Sequence, residues 1–131
     1  MRGRTILMTG GLLLALVGVV AVVQARPTKR LDPTTNTCRV FTLGGIEEGQ
    51  HLFRSVCKSC HFRGNKVGAQ FLYSESLISK AWNRVFAERY PAFAKNGSWA
   101  SLSDEQLRRI NDFLYMNSGD SYDPNNALDC G

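Results

Sequence analysis

The feature that most constrains the fold of this chain is a pentapeptide near its middle, Cys57-Lys58-Ser59-Cys60-His61. The spacing Cys-x-x-Cys-His is the attachment signature of c-type haem. Two cysteines three residues apart on one helical turn can reach the two vinyl-derived carbons of one porphyrin, and the adjacent histidine then lies beneath the iron. The motif therefore predicts one covalent haem c, with thioether bonds at Cys57 and Cys60 and with His61 as the proximal iron ligand.

Two other kinds of site use paired cysteines. A thioredoxin-like redox pair needs a βαβ setting, which the sequence does not indicate. A zinc site could recruit Cys38, Cys57, Cys60 and either a histidine or Cys130, but the chain has only one Cys-x-x-Cys and no second paired cluster. Haem attachment is the interpretation that we favour.

The N-terminal 25 residues have the pattern of an export signal. Arg2 and Arg4 precede an uncharged apolar run at 6–23, and small residues end it at Ala25. We expect a signal peptide over residues 1–25. The apolar run is long enough, at the lower limit, to span a bilayer, so an uncleaved membrane anchor is the alternative. Both interpretations place the rest of the chain outside the cytoplasm, in the periplasm or otherwise exported, and the second anchors it to the membrane.

The remaining chain is long enough for one small domain, and its periodicity predicts an all-α fold. Residues 26–37 are polar, contain two prolines and lack an apolar period, so they are expected to form a linker or extended arm. A first helix is predicted over about 46–59, after the breaker Gly44-Gly45. A second is predicted over about 74–89, ending before Pro91.

The third helix has the clearest signals. Ser103 and Gln106 form a capping box at its start, and Gly119 lies beyond its end. Its predicted buried face consists of Leu107, Ile110, Phe113 and Leu114.

Two stretches resemble the class I c-type cytochromes (the monohaem cytochrome c family). "GQHLFRSVCKSCH" is similar to the family's N-terminal helix pattern Gly-x-x-x-Phe-x-x-x-Cys-x-x-Cys-His, and "LSDEQLRRINDFLYMNSG" is similar to its C-terminal helix. The resemblance implies a cytochrome c-like fold, in which these helices cross around one covalently bound haem. Gly49 and Phe53 should then meet Ile110 and Phe113. The implied organisation is an N-terminal arm (26–43), a cytochrome c domain (44–118) and a C-terminal tail (119–131).

Two further cysteines, Cys38 and Cys130, lie near the two ends of the exported part. Unpaired thiols are unusual in an oxidising compartment, so these residues are a candidate disulfide. The crossing of terminal helices that the resemblance implies would bring them together. A bond to another subunit is the alternative.

The sixth iron ligand is where the chain departs from the family. The family usually places a methionine in a Met-Pro-x-Phe stretch before the last helix, whereas this chain has Tyr90-Pro91-Ala92-Phe93. Tyr90 is therefore the distal candidate, either as an iron ligand, as a partner of an iron-bound water, or packed beside an open position. Met116 is expected on the polar face of the last helix with Asp112, away from the iron.

The proximal side also departs from the family pattern. The family commonly has a Gly-Pro after the motif, and its backbone orients the ligand histidine. Here Gly68 is followed by Ala69, which stands where the proline is common. The resemblance therefore does not determine how His61 is oriented and tuned.

The function expected from these features is transfer of single electrons between redox proteins, without catalysis, by an exported monohaem cytochrome. The alternatives are a haem protein whose open distal side binds a small gaseous ligand, and a haem subunit of a larger membrane or periplasmic oxidoreductase complex. The net charge of +5 comes without a long run of Lys and Arg, so no nucleic-acid partner is expected. A membrane is a partner only if the N-terminal segment is retained.

Overall fold

The computed structural model of the chain describes residues 26–89, 92–123 and 130. The predicted signal peptide or anchor (1–25) and Tyr90 lie outside the described residues, as does most of the predicted tail beyond Asp123. Within the described ranges, no helix is both long enough and apolar enough to cross a membrane.

The described part is a small, mostly helical domain with a two-stranded hairpin. The strands are β1 (Lys29–Asp32) and β2 (Thr37–Val40). The helices are α1 (Leu43–Ser55), α2 (Ser79–Glu88), α3 (Ala92–Lys95) and α4 (Asp104–Met116), with 3₁₀ turns at Cys57–Ser59 and Ser74–Ser76.

The hairpin corrects the prediction of an all-α fold, and its first strand lies in the segment predicted to be a linker or extended arm. β1 pairs antiparallel with β2, with Arg30 opposite Arg39 and Leu31 opposite Cys38. β1 does alternate between inside and outside, but its buried residues are Arg30 and Asp32, while Leu31 is exposed. The sequence of β1 therefore shows no alternation of apolar residues, because its buried positions carry charged side chains.

Helix α1 crosses α4 at a glycine. A Cβ atom at Gly49 would overlap the backbone carbonyl oxygen of Arg109 and would lie 3.0 Å from the Cβ of Phe113. One turn along α1, the rings of Phe53 and Phe113 lie 5.9 Å apart between centroids. Ile110 is fully buried in the same core cluster as Phe53. The predicted meeting of Gly49 and Phe53 with this face of α4 is confirmed.

The ends of α1 differ from the prediction. Thr42 caps the N-terminus by accepting a hydrogen bond from the backbone N–H of Gly45 at 3.2 Å. The helix therefore begins at Leu43, and Gly44 and Gly45 lie inside it instead of interrupting it. Gly45 is used for packing, because a Cβ there would overlap the guanidinium of Arg109.

Helices α2 and α4 complete the core. The predicted second helix divides into the 3₁₀ turn Ser74–Ser76 and α2, which ends where Arg89 takes a left-handed conformation (φ 48°). The capping box of α4 is confirmed, since Ser103 Oγ accepts from the N–H of Gln106 and Gln106 Oε1 accepts from that of Ser103. The buried apolar cluster contains Phe53, Trp82, Val85, Phe86, Leu107, Ile110 and Leu114.

A disulfide joins Cys38 on β2 to Cys130, with the two Cα atoms 5.9 Å apart. The bond closes a loop with a sequence separation of 92 residues. In the chain-entropy description, a loop of this length gives a stabilisation of about 4–5 kcal/mol.

Buried ion pairs hold the hairpin on α4. Arg30 Nε donates to Asp112 Oδ1 at 2.7 Å, and both residues are about 2% exposed or less. Arg39 Nη2 reaches the other oxygen of Asp112 at 2.8 Å and also Glu105 at 3.0 Å. The polar face of α4 that carries Asp112 is therefore covered by the hairpin.

Replacing Gly49 by alanine should destabilise the fold, because the new methyl group meets the backbone of α4, which cannot rotate away as a side chain can. We expect the free energy of unfolding to fall by about 1–3 kcal/mol. Gly44→Ala is the matched control in the same helix, where a Cβ meets nothing within 4 Å. That variant should be neutral or gain up to about 1 kcal/mol. Denaturant titration of both variants measures the difference, and equal losses would contradict the assigned crossing.

Replacing Asp112 by asparagine should lower the free energy of unfolding more than neutralising an exposed carboxylate does. Arg30 would be left buried without its closest carboxylate, and such a loss is typically worth about 3–5 kcal/mol. The control is Glu48→Gln, which removes an exposed partner 3.8 Å from Arg109 Nε and should change stability by less than about 1 kcal/mol. An Asp112→Asn variant as stable as this control would show that the buried pair does not hold the hairpin.

Candidate functional site

The three residues of the predicted haem motif meet at one cavity. Cys57, Cys60 and His61 form part of its wall, and the apolar core supplies most of the rest through Phe53, Leu72, Trp82, Val85, Phe86 and Leu114. The cavity has a volume of about 160 Å³ and is partly open to solvent. Its lining is mostly apolar, as is usual for small-molecule and cofactor sites.

The end of α1 places the motif at the cavity. The helix ends at Ser55, earlier than predicted, and residues Cys57–Ser59 continue as a 3₁₀ turn. The N–H groups of Cys60 and His61 both donate to the carbonyl oxygen of Cys57, at 3.3 and 3.0 Å. This tight turn keeps both cysteines and the histidine on one side of the chain, where they line the same wall.

The two thiols differ in their surroundings. Both cysteines are reduced, with Cys57 half-buried and Cys60 exposed. Burial raises the pKa of the Cys57 thiol to about 11. Disulfide exchange needs a thiolate, and a raised pKa removes it at neutral pH. The two described strands also pair antiparallel, without a βαβ unit. These observations disfavour the thioredoxin-like interpretation.

The ring of His61 is oriented by a backbone carbonyl. Its Nδ1 atom lies 2.6 Å from the carbonyl oxygen of Gln70, which can only accept, so Nδ1 carries the hydrogen. This tautomer makes Nε2 the basic nitrogen of the ring. The acceptor belongs to the residue after Ala69, the position where the family pattern has proline. The orienting carbonyl that the sequence left unassigned is therefore that of Gln70.

Lys58 joins the motif to the end of the following loop. Its Nζ atom donates to the carbonyl oxygen of His61 at 3.1 Å and to that of Leu72 at 2.6 Å. The same ammonium lies 4.2 Å from the centre of the Phe71 ring. Sequence reasoning missed this role, because a lysine at a variable position of the motif gives no signal that distinguishes it from a solvated surface charge.

The wall away from the motif is aromatic. Trp82 donates through Nε1 to the carbonyl oxygen of Ser74 at 2.8 Å. The rings of Phe86 and Trp99 stack with centroids 5.2 Å apart. Trp99 comes from the segment between α3 and α4, shortly after Tyr90, the predicted distal residue, which lies outside the described residues.

Met116 does not line this cavity. It is half-buried at the last position of α4. The prediction that it lies away from the site is consistent with this placement.

The residues present fit a covalent haem better than a zinc ion. A porphyrin needs apolar walls, two thiols on one turn and an oriented imidazole, and the cavity combines all three. Zinc would need further ligands, but Cys38 and Cys130 are bonded to each other. In the ranges that the structure describes, no group of three or more His, Cys, Asp or Glu side chains is placed to hold a metal ion.

Comparisons of the chain with protein-family models, with curated proteins and with solved structures find no match.

Proposed function

We propose that this chain is an exported monohaem c-type cytochrome that carries single electrons between redox proteins. The observation that carries the proposal is the meeting of Cys57, Cys60 and His61 at one apolar cavity. A redox pair or a zinc site would not need such a cavity, whereas a porphyrin does. The tight crossing of α1 and α4 at Gly49 supports a cytochrome c-like fold.

Each residue of the motif has a distinct role in this proposal. The sulfur atoms of Cys57 and Cys60 would hold the cofactor permanently through thioether bonds. His61 would bind the iron through Nε2, because its Nδ1 is held by the carbonyl oxygen of Gln70. The bound haem supplies a one-electron couple, whose potential depends on the axial ligands, on burial and on nearby hydrogen bonds.

The apolar wall contributes by limiting water. Phe53, Val85 and Phe86 are each less than one-tenth exposed and line the cavity together. A low-dielectric surrounding disfavours the more highly charged oxidation state, so this wall raises the potential.

The disulfide and the expected export signal support an oxidising compartment, where covalent attachment prevents loss of the cofactor. The expected partners are other redox proteins, including a membrane or periplasmic oxidoreductase complex. The hairpin belongs to the domain and packs on α4 through Arg30. The part of the predicted arm that forms β1 and β2 is therefore packed against the helical domain.

A second candidate function is binding of a small gaseous ligand at the iron. The observation that favours it is the position of Met116, the single methionine after the predicted leader, which does not line the cavity. Without methionine sulfur, the distal position would be held by a weaker ligand such as Tyr90 or would be open.

Expression with a c-type haem attachment system tests the main proposal. We expect one covalent haem per chain, seen as a mass increase that survives denaturation and as a reduced pyridine haemochrome spectrum. Cys57→Ser should lose one thioether bond, and His61→Ala should lose the proximal ligand. Ser59→Ala, between the two cysteines, is the control and should retain the wild-type spectrum. A wild-type chain that acquires no haem under these conditions would sink the proposal.

Carbon monoxide separates the two candidate functions. An electron carrier with a strong sixth ligand should have a low-spin spectrum that carbon monoxide does not change. A high-spin spectrum that shifts on addition of carbon monoxide would favour gas binding. If Tyr90 binds the iron, Tyr90→Phe should change the spin state of the oxidised protein, and an unchanged spectrum would exclude Tyr90 as a ligand.

A further inference from the structure

We propose that Asn65 is the positioning residue for His61 and takes the place of the proline that is absent after the motif. This inference rests on the proposed function, since it concerns how the proximal ligand of the haem is held. It also assigns a role to a residue that no motif in the sequence identifies.

The side chain of Asn65 binds the backbone of Ala69 at two points. Asn65 Nδ2 donates to the carbonyl oxygen of Ala69 at 2.6 Å, and the N–H of Ala69 donates to Asn65 Oδ1 at 3.0 Å. Nδ2 also donates to the carbonyl oxygen of Phe62 at 2.9 Å. Only this orientation of the amide satisfies all three contacts, because both carbonyl oxygens need a donor.

These two hydrogen bonds restrain the backbone of Ala69, as a proline ring would restrain it covalently. A proline fixes one backbone angle and has no N–H to satisfy. At Ala69, the asparagine amide engages both the N–H and the carbonyl oxygen. We call these two bonds between Asn65 and Ala69 the clamp. The loop needs such a restraint because Gly64 and Gly68 both have left-handed backbone angles, φ 76° and 74°. Glycines lose much conformational freedom when such a loop is ordered.

The clamp lies next to the group that holds His61. Gln70 follows Ala69 directly, and its carbonyl oxygen accepts the hydrogen bond from His61 Nδ1. The other end of the loop is fixed independently, by Lys58 and by the N–H of Leu72, which donates to the carbonyl oxygen of His61 at 3.3 Å. Asn65 is therefore the side chain that sets the position of the Ala69–Gln70 backbone between these fixed points.

Loss of the clamp should change the reduction potential in a predictable direction. A hydrogen bond from the ligand histidine to a carbonyl oxygen increases the basicity of its iron-binding nitrogen. A more basic ligand favours oxidised iron, so the bond lowers the reduction potential. Loosening the Gln70 carbonyl should raise the potential and should let the Nδ1 hydrogen exchange with solvent more often.

The test compares Asn65→Ala with Lys66→Ala in the full exported chain. We expect Asn65→Ala to raise the reduction potential and to speed exchange of the His61 Nδ1 hydrogen, followed by NMR in the reduced protein, by about tenfold. Lys66 is exposed in the same loop, so Lys66→Ala should leave the exchange rate unchanged. Asn65→Asp keeps the acceptor for Ala69 N–H and loses the donor, so it should also speed exchange in a loop that stays folded.

Wild-type exchange rates in both Asn65 variants would overturn the proposal. Faster exchange in Lys66→Ala to the same extent would overturn it too, because the effect would then belong to the whole loop. The proposed function fails separately, by absence of covalent haem in the wild-type protein. The exchange comparison can still be made on that protein, since the bond from His61 to Gln70 does not involve the iron.

Discussion

The close approach of α1 and α4 at Gly49 is the constraint on which the rest of the structure depends. The absence of a side chain there lets the helix meet the backbone of Arg109, so that Phe53 reaches Phe113 one turn later. The direction in which α1 leaves this crossing decides where the Cys57–Ser59 turn lies. A wider crossing would open the core and would move the cysteines away from the cavity wall that α4 provides through Leu114. Under the proposed function, helix packing and cofactor attachment therefore depend on the same helix crossing.

Helix α4 is buried on two sides, one stabilised by apolar packing and the other by ion pairs. Towards the apolar core it presents Leu107, Ile110 and Leu114, which are stabilised by removal of apolar surface from water. Towards the hairpin it presents Asp112, which is stabilised only while Arg30 and Arg39 remain paired with it. The first side tolerates changes of similar volume, whereas the second depends on exact partners. The disulfide at Cys38 then ties the strand that carries Arg39 to the chain beyond α4.

The sequence predicted the parts of the fold that have local signals. The capping box at Ser103 is confirmed at both of its hydrogen bonds. The resemblance of the stretch around Gly49 and Phe53 to the c-type cytochromes implied the helix crossing. The hairpin was missed because Arg30 and Asp32 occupy its buried positions. Their ion pairs with α4 offset the desolvation of these charges, and such pairs cannot be recognised from the sequence of the hairpin alone. The sequence did not predict the contacts of Gln70 and Asn65. Gln70 acts through its backbone carbonyl, which every residue has, and an asparagine in a glycine-containing loop is an ordinary turn residue.

Under the proposed function, the two axial sides of the iron are built by separate stretches of chain. The proximal side lies within residues 57–72, where Lys58, Asn65 and Gln70 hold His61 through bonds that are local in sequence. The distal side would come from the segment that follows α2, which shares none of these bonds. A substitution in that segment can therefore change the sixth ligand while attachment and the proximal ligand stay intact. In such an arrangement, electron transfer and gas binding would differ by a few residues on one side of the same cavity, the side on which the family resemblance leads us to expect Tyr90.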